Sequence, residues 1–290
     1  MKPWEELISL NNFADTEFVI LPPARAFWDE EAQRDSWKTM LKDVPDDLFR
    51  RALENDTSGL PVTRNREGYW GEDHFAYWAS GLRDYKLLHD AFGKYDLKPA
   101  AYLDFGCATG RVIRHFAANN PDMAVYGCDI NRHHVEWLCQ HMPSSLVAFQ
   151  NHSIPTLPLP EQSLDLITAY SVFTHIEAFE TAWLMEFRRL LRPGGMAWLT
   201  IHSESTWADV KAGWPLYQNV KNNPDFQAAD RTKPMPRDRL VYRGAADTSY
   251  SSQVFYTTDY IRRVWGRFLK VEEIIPRHPG FQDVVVLRKV

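Results

Sequence analysis

From about residue 99 onward, short apolar runs alternate with stretches of helical periodicity. Strand-like runs end or centre at 102–104, 124–128, 146–150, 164–170 and 196–201. Between them, 112–118, 132–141 and 177–191 repeat their apolar residues every three to four positions. Val135, Leu138 and Cys139 share one helical face, and Trp183, Leu184, Phe187, Leu190 and Leu191 share another. Pro193-Gly194-Gly195 stops the last of these helices. A helix over 258–268, capped by Thr258-Asp259, precedes two further strands at 271–275 and 283–287 joined through His278-Pro279-Gly280. Strand–helix alternation of this kind predicts an α/β fold, a doubly wound, mostly parallel seven-stranded sheet with helices on both faces.

The flanking pattern differs. Residues 1–98 read as helix and loop, with helices expected at 29–41 (Ala32, Trp37, Met40, Leu41), 45–53 (Leu48, Phe49, Leu53) and 74–92. A Gly/Pro-containing break at 55–65 precedes the last, whose stripe is Trp78, Leu82, Tyr85, Leu88 and Phe92. Trp4, Trp28, Trp37, Trp70 and Trp78 either pack this accessory layer or line an acceptor pocket under a lid. Residues 202–258 are long for a connection after strand five and carry Trp207, Trp214, Tyr217, Phe226, Tyr242, Tyr250 and Tyr256. The expected organisation is a helical N-terminal extension or lid, 1–98, and an α/β domain, 99–290, with 202–258 as a substrate-side insertion.

Composition narrows the function. The 290 residues have 44% hydrophobic content, enough for one large core and an appendage. No apolar run approaches 18 residues, and the Met1–Glu6 opening lacks the plan of a secretory signal. Cys107, Cys128 and Cys139 show no paired spacing, which suits a reducing cytoplasm and predicts neither disulfide nor metal site. Net charge is −5, and residues 1–98 carry 13 Lys and Arg against 19 Asp and Glu. That balance favours a small-molecule acceptor over nucleic acid or membrane.

The chemistry concentrates at Ala101-Tyr102-Leu103-Asp104-Phe105-Gly106-Cys107-Ala108-Thr109-Gly110-Arg111. A strand, a small-residue turn and a helix start together expose backbone, with outward N–H groups expected to hold a polar ligand group. A second strand ends in Asp129, about 20 residues beyond the turn, where a ribose hydroxyl pair is usually gripped.

The Gly106-x-Ala108-x-Gly110 spacing after Asp104, with Asp129 ending the next strand, resembles the cofactor site of class I S-adenosylmethionine-dependent methyltransferases. Two further segments are similar to that family: Leu164–Ile167 leading into Ser171-Val172-Phe173-Thr174-His175-Ile176, and Leu191-Arg192-Pro193-Gly194-Gly195. The resemblance covers roughly 99–201 and is of the small-molecule type. It implies S-adenosyl-L-methionine as cofactor, with Gly106, Cys107 and Gly110 against its methionine part and Asp104 near the amino group. Asp129 would take the ribose and Ile130 the adenine. His152, Ser153 and Ile154, with Asn151, are candidates for the adenine edge, and Tyr170 and Ser171 for the methyl end. His175 and His202 are the candidate bases for an acceptor that must lose a proton. His152, His278, Tyr250 and Asp283 rank behind them. Nucleic-acid amino-methylating relatives usually carry (Asp/Asn)-Pro-Pro-aromatic where this chain has Ala169-Tyr170-Ser171-Val172. An NAD(P)-dependent oxidoreductase shares the strand–turn–helix–acid logic but wants a different glycine spacing. A non-catalytic cofactor-binding relative is the third reading. A homodimer, with the N-terminal helices over the neighbour's site, stays open.

Overall fold

The computed structural model describes residues 17–29, 34–213, 217–244, 252–278 and 280–290. Trp4, Ala32, Trp214, Tyr250 and Pro279 lie outside them. The chain divides into two compact units, Met1–Asn151 and His152–Val290.

In the first unit, β1 (Ile20–Pro23) pairs antiparallel with β2 (Gly59–Pro61). Neither strand was expected, because three or four residues with prolines show no period and their pairing is long-range. Helices α1 (Asp35–Leu41), α2 (Asp46–Asn55) and α3 (His74–Lys94) follow the apolar stripes. Asp73 caps α3 by accepting from the Ala76 amide at 3.0 Å, and its carboxylate also takes the Trp37 indole N–H at 2.9 Å. Trp28, Trp37, Phe49, Phe75 and Trp78 stack on one another with centroids 4.5 to 6.4 Å apart. Three of the N-terminal tryptophans are therefore packing groups. Then come β3 (Ala101–Phe105), α4 (Ile113–Asn119), β4 (Ala124–Asp129), α5 (Arg132–His141) and β5 (Leu146–Gln150). β3, β4 and β5 are parallel neighbours. Every β3 residue is buried, so the strand reads as a continuous apolar run rather than an alternation.

The second unit starts with β6 (Leu164–Ala169), α6 (Glu180–Leu190) and β7 (Leu191–Ile201). The helix expected from 177 begins at Glu180, after Phe179 adopts a left-handed φ of 65°. Strand β7 starts five residues before the expected Met196, because Leu191 already pairs with Leu164 and the register shifts before Met196 meets Leu166. The insertion holds α7 (Glu204–Asp209), α8 (Tyr217–Val220), α9 (Pro224–Ala228) and an antiparallel ribbon of β8 (Arg239–Arg243) and β9 (Ser252–Tyr256). Its aromatic residues Trp207, Phe226 and Tyr242 bury one another with Val210, Val220, Leu240 and Phe255, a small core of their own. α10 (Thr258–Val264) is capped by the Thr257 side chain, one residue before the expected cap, and gives way to a 3-10 turn at Trp265–Arg267. β10 (Lys270–Ile275) and β11 (Asp283–Arg288) close the chain, β11 running antiparallel to both β7 and β10.

Seven strands share one sheet in the order β10-β11-β7-β6-β3-β4-β5, the mostly parallel sheet that the pattern predicts. Among the described residues, no helix is long and apolar enough to cross a membrane.

Candidate cofactor and acceptor sites

In the first unit the turn after β3 bends through three left-handed residues, Gly106 (φ 76°), Ala108 (φ 46°) and Gly110 (φ 84°). A Cβ on Gly110 would stand 2.8 Å from Leu138 Cδ2, so this position needs glycine for room as well as for φ. The expectation that the N–H groups point outward is corrected by their partners. Gly106 and Cys107 both donate to Cys128 O (2.8 and 3.0 Å), Gly110 donates to Cys107 O (2.9 Å), and Ala108 donates to Asp129 Oδ2 (2.8 Å). These four donors are thus used within the protein. Burial raises the Cys107 thiol well above its ordinary pKa, and the charges of Asp129 and Asp104 raise it further, so two carboxylates act on the turn. Cys107 itself is 4% exposed and serves as a small packing residue.

Asp129 is 7% exposed and held from both sides: Oδ1 accepts from the Asn131 amide at 2.8 Å while Oδ2 takes Ala108. Asp104 is buried near the end of β3, and Ile130 is 39% exposed beyond Asp129. Asn151 is buried, its amide donating to Asp129 O at 3.1 Å.

The N-terminal helices reach this turn within their own chain. The Tyr77 hydroxyl meets Thr109 O and Oγ1, both at 3.1 Å, and Arg111 Nη1 donates to Asp84 Oδ2 at 2.6 Å. A Cβ on Gly81 would fall 1.8 Å from Arg111 O, so α3 presses bare backbone against the exit of the turn. No local signal marks Gly81 or Glu67, whose partners Arg111, Asn131 and His134 lie 30, 64 and 67 positions away, nor His134, and only the fold brings them in. His134 Nδ1 lies 3.5 Å from Asp129 Oδ1, and its Nε2 lies 3.6 Å from Glu67 Oε1.

In the second unit, His152, Ser153 and Ile154 are exposed, Ile154 at 70%. Tyr170 is half-buried, and Ser171 is exposed with a left-handed φ of 57°. The Ser171 amide donates to Thr200 Oγ1 at 2.7 Å, and its hydroxyl meets the Gln282 carboxamide at 2.9 and 3.1 Å. Gln282 was not foreseen, since it lies 111 positions from Ser171.

His175 Nδ1 lies 2.6 Å from Ser252 O. A carbonyl only accepts, so Nδ1 carries the proton and Nε2 is the basic nitrogen. Burial lowers the His175 pKa, and the Ser252 bond opposes it only in part, so the ring is neutral near pH 7. Ser252 also donates to Glu177, which in turn takes Arg243 Nε at 2.7 Å. The β8–β9 ribbon thus fixes the histidine's tautomer.

His202 is fully buried, packed 5.2 Å from Phe255 and stacked 6.0 Å from Phe281. Burial, helped by the nearby His175, holds its pKa down at about 3 against a bond to Gln253 at 3.0 Å. Asp283 accepts from Ser203, from Ser205 Oγ at 2.8 Å and from the Arg277 amide at 2.9 Å, a structural junction. His278 sits 6.1 Å from the Trp198 ring.

A mostly parallel seven-stranded sheet closed by an antiparallel β10–β11 pair, with a glycine turn after one strand and an acid ending the next, defines the class I methyltransferase fold. Residues 103–197 match the family described as "Methyltransferase domain". The matched stretch runs from β3 into β7 and includes the glycine turn and Asp129. It is 30% identical over 117 residues to malonyl-[acyl-carrier protein] O-methyltransferase of Methylococcus capsulatus, covering 40% of this chain and 42% of that protein. It is also 30% identical over 119 residues to mouse tRNA N(3)-cytidine methyltransferase METTL2, covering 38% and 30%. The chain thus spans well under half the length of both curated relatives. A solved structure, the Burkholderia thailandensis 1,6-didemethyltoxoflavin-N1-methyltransferase with its substrate and S-adenosylhomocysteine bound, shares the fold. There the TM-score is 0.50 at 14% identity, over 96% of this chain and 98% of that one.

Proposed function

We propose that this protein transfers the methyl group of S-adenosyl-L-methionine to an O, N or S atom of a small metabolite in the cytoplasm. The observation that carries the reading is the turn at 106–110, whose amides at 106, 107, 108 and 110 are consumed within the protein. A dinucleotide pyrophosphate would need such donors. A sulfonium with an ammonium group instead suits a turn flanked by Asp104 and Asp129. Asp104 would meet the ammonium, Asp129 the ribose hydroxyls, and Ile130 the adenine, whose edge falls to residues among Asn151, His152, Ser153 and Ile154.

When bound, the cofactor supplies an activated methyl on sulfur, so the protein's work is alignment, exclusion of water and proton removal. Ser171, held in its left-handed conformation by Thr200 and Gln282, would line the methyl end with Tyr170. His175, neutral and with Nε2 basic, is the group to take a proton from an alcohol, thiol or ammonium acceptor. His202, buried with its pKa near 3, is better suited to holding β7 to the β9 strand than to proton transfer.

A transfer RNA acceptor is the second reading, favoured by the identity to the tRNA methyltransferase. The net charge of −5 and the absence of proline after Tyr170 weigh for the small molecule. The test is transfer of labelled methyl to a panel of small carboxylic acids, phenols, amines and thiols, run beside unmodified tRNA. Label in a small molecule, lowered at least about tenfold by His175→Gln, supports this reading. Label in tRNA alone overturns it.

A further inference from the structure

The ribose acid is not set by its own strand alone. The imidazole of His134, on α5 and 5% exposed, stands between two carboxylates, 3.5 Å from Asp129 Oδ1 and 3.6 Å from Glu67 Oε1. The same Glu67 oxygen accepts from Asn131 Nδ2 at 3.1 Å, and Asn131 donates its backbone N–H to Asp129 Oδ1 at 2.8 Å. The hydrogen-bonded route from Glu67 to Asp129 Oδ1 therefore runs through Asn131, while the His134 ring stands between the two carboxylates at ion-pair distance. Glu67 belongs to the N-terminal extension and ends the 3-10 turn Thr63–Arg66 in a left-handed conformation, φ 55°. Left-handed backbone at a glutamate is uncommon; here Glu67 closes the turn, its N–H donating to Arg64 O at 3.4 Å while the Gly68 N–H donates to Thr63 O at 2.9 Å.

We propose that Glu67 is a positioning residue of the cofactor site, orienting the Asp129 carboxylate for the ribose hydroxyls through His134 and Asn131. The inference rests on the methyltransferase reading above. It makes residues 63–67 part of the binding site rather than a covering layer. The second carboxylate also adds negative charge beside the ribose, which disfavours any ligand with a phosphate on that sugar.

The test is calorimetric titration of the full chain with S-adenosylhomocysteine and with its 2′,3′-dideoxyribose counterpart, for the parent, Glu67→Gln, Glu67→Ala and Asp129→Ala. The Glu67 side chain is about a third exposed, so both Glu67 variants are expected to fold, and thermal melts check this. Glu67→Ala should raise the dissociation constant for S-adenosylhomocysteine about tenfold, yet change that of the dideoxy compound by less than about twofold. Glu67→Gln, which keeps an acceptor for Asn131 Nδ2, should lie nearer the parent. A purely structural role would weaken both ligands equally, and that result overturns the proposal, as does unchanged affinity in both Glu67 variants. If Asp129→Ala leaves S-adenosylhomocysteine affinity unchanged, the cofactor reading itself fails. If Asp129→Ala weakens binding while neither Glu67 variant does, only the role of Glu67 falls.

Discussion

Asp56 and Arg114 form a buried ion pair that ties the N-terminal extension to the helix leaving the glycine turn. Arg114 Nε and Nη2 donate to the carboxylate at 2.6 and 3.2 Å, and the Trp78 indole N–H donates at 2.8 Å. The side chains are 0% and 2% exposed. Arg114 further donates to Ser58 O at 2.8 Å and Gly59 O at 3.1 Å, so the pair also anchors strand β2. Burial alone would raise the Asp56 pKa, but Arg114, His115 and Trp78 together bring it below the ordinary carboxylate value. Asp56→Ala would leave a guanidinium and an indole N–H buried with one partner fewer. Removing one member of such a pair costs about 3–5 kcal/mol, a large part of the roughly 5–15 kcal/mol that holds a domain folded. Replacing both, as Asp56→Leu with Arg114→Met, should recover most of that loss, because no charge is then stranded. Urea unfolding followed by circular dichroism measures each variant, with the slope checked for constancy. A loss under about 1 kcal/mol in Asp56→Ala, or a double variant no better than the single, would refute the reasoning.

Three further outcomes follow from particular contacts. Gly81→Ala should destabilise by at least about 2 kcal/mol and weaken S-adenosylhomocysteine binding, since its Cβ would fall 1.8 Å from Arg111 O; unaltered melting and affinity would contradict the packing described. His115 and His202 both have folded pKa values near 3, set first by burial, against about 6.5 unfolded. The unfolded chain thus binds more protons below 6.5, and stability should fall by about 2 kcal/mol per histidine from pH 7 to pH 5. Asp56, whose pKa is lowered, adds to the loss at lower pH still. Denaturation midpoints that stay flat or rise over that range would contradict it. Of the three thiols only Cys139 is exposed, while burial and the nearby Asp129 raise those of Cys107 and Cys128. A disulfide reagent should therefore titrate about one thiol in the native protein and all three in denaturant; rapid native modification of Cys107 would be inconsistent with its place in the turn.

Elements whose signal is local were legible in the sequence. β3, β4 and β5 fall within a residue or two of their expected positions because buried parallel strands are apolar runs between turn residues. The stripe from Trp78 to Phe92 located α3 for the same reason of period. The β1–β2 ribbon was invisible, since its partners are some 40 positions apart and too short to carry a pattern. Donor direction in the glycine turn was misjudged, as spacing reveals where the chain bends but not which amides Cys128 O and Asp129 consume. His202 is a candidate base on sequence. Its position after β7 was read rightly, but a bridge to Phe255 turns it into the core. Gln282, Glu67 and Gly81 act through contacts that only the tertiary fold creates.

The ligand that the turn at 106–110 accepts decides between an adenosyl cofactor and a nicotinamide one. Calorimetric titration of the full chain with S-adenosylmethionine, S-adenosylhomocysteine, NADH and NADPH measures this in one series. Saturable binding of the two adenosyl compounds and none of the nicotinamide nucleotides is the predicted result. Binding of NADH or NADPH with no response to either adenosyl compound would contradict it.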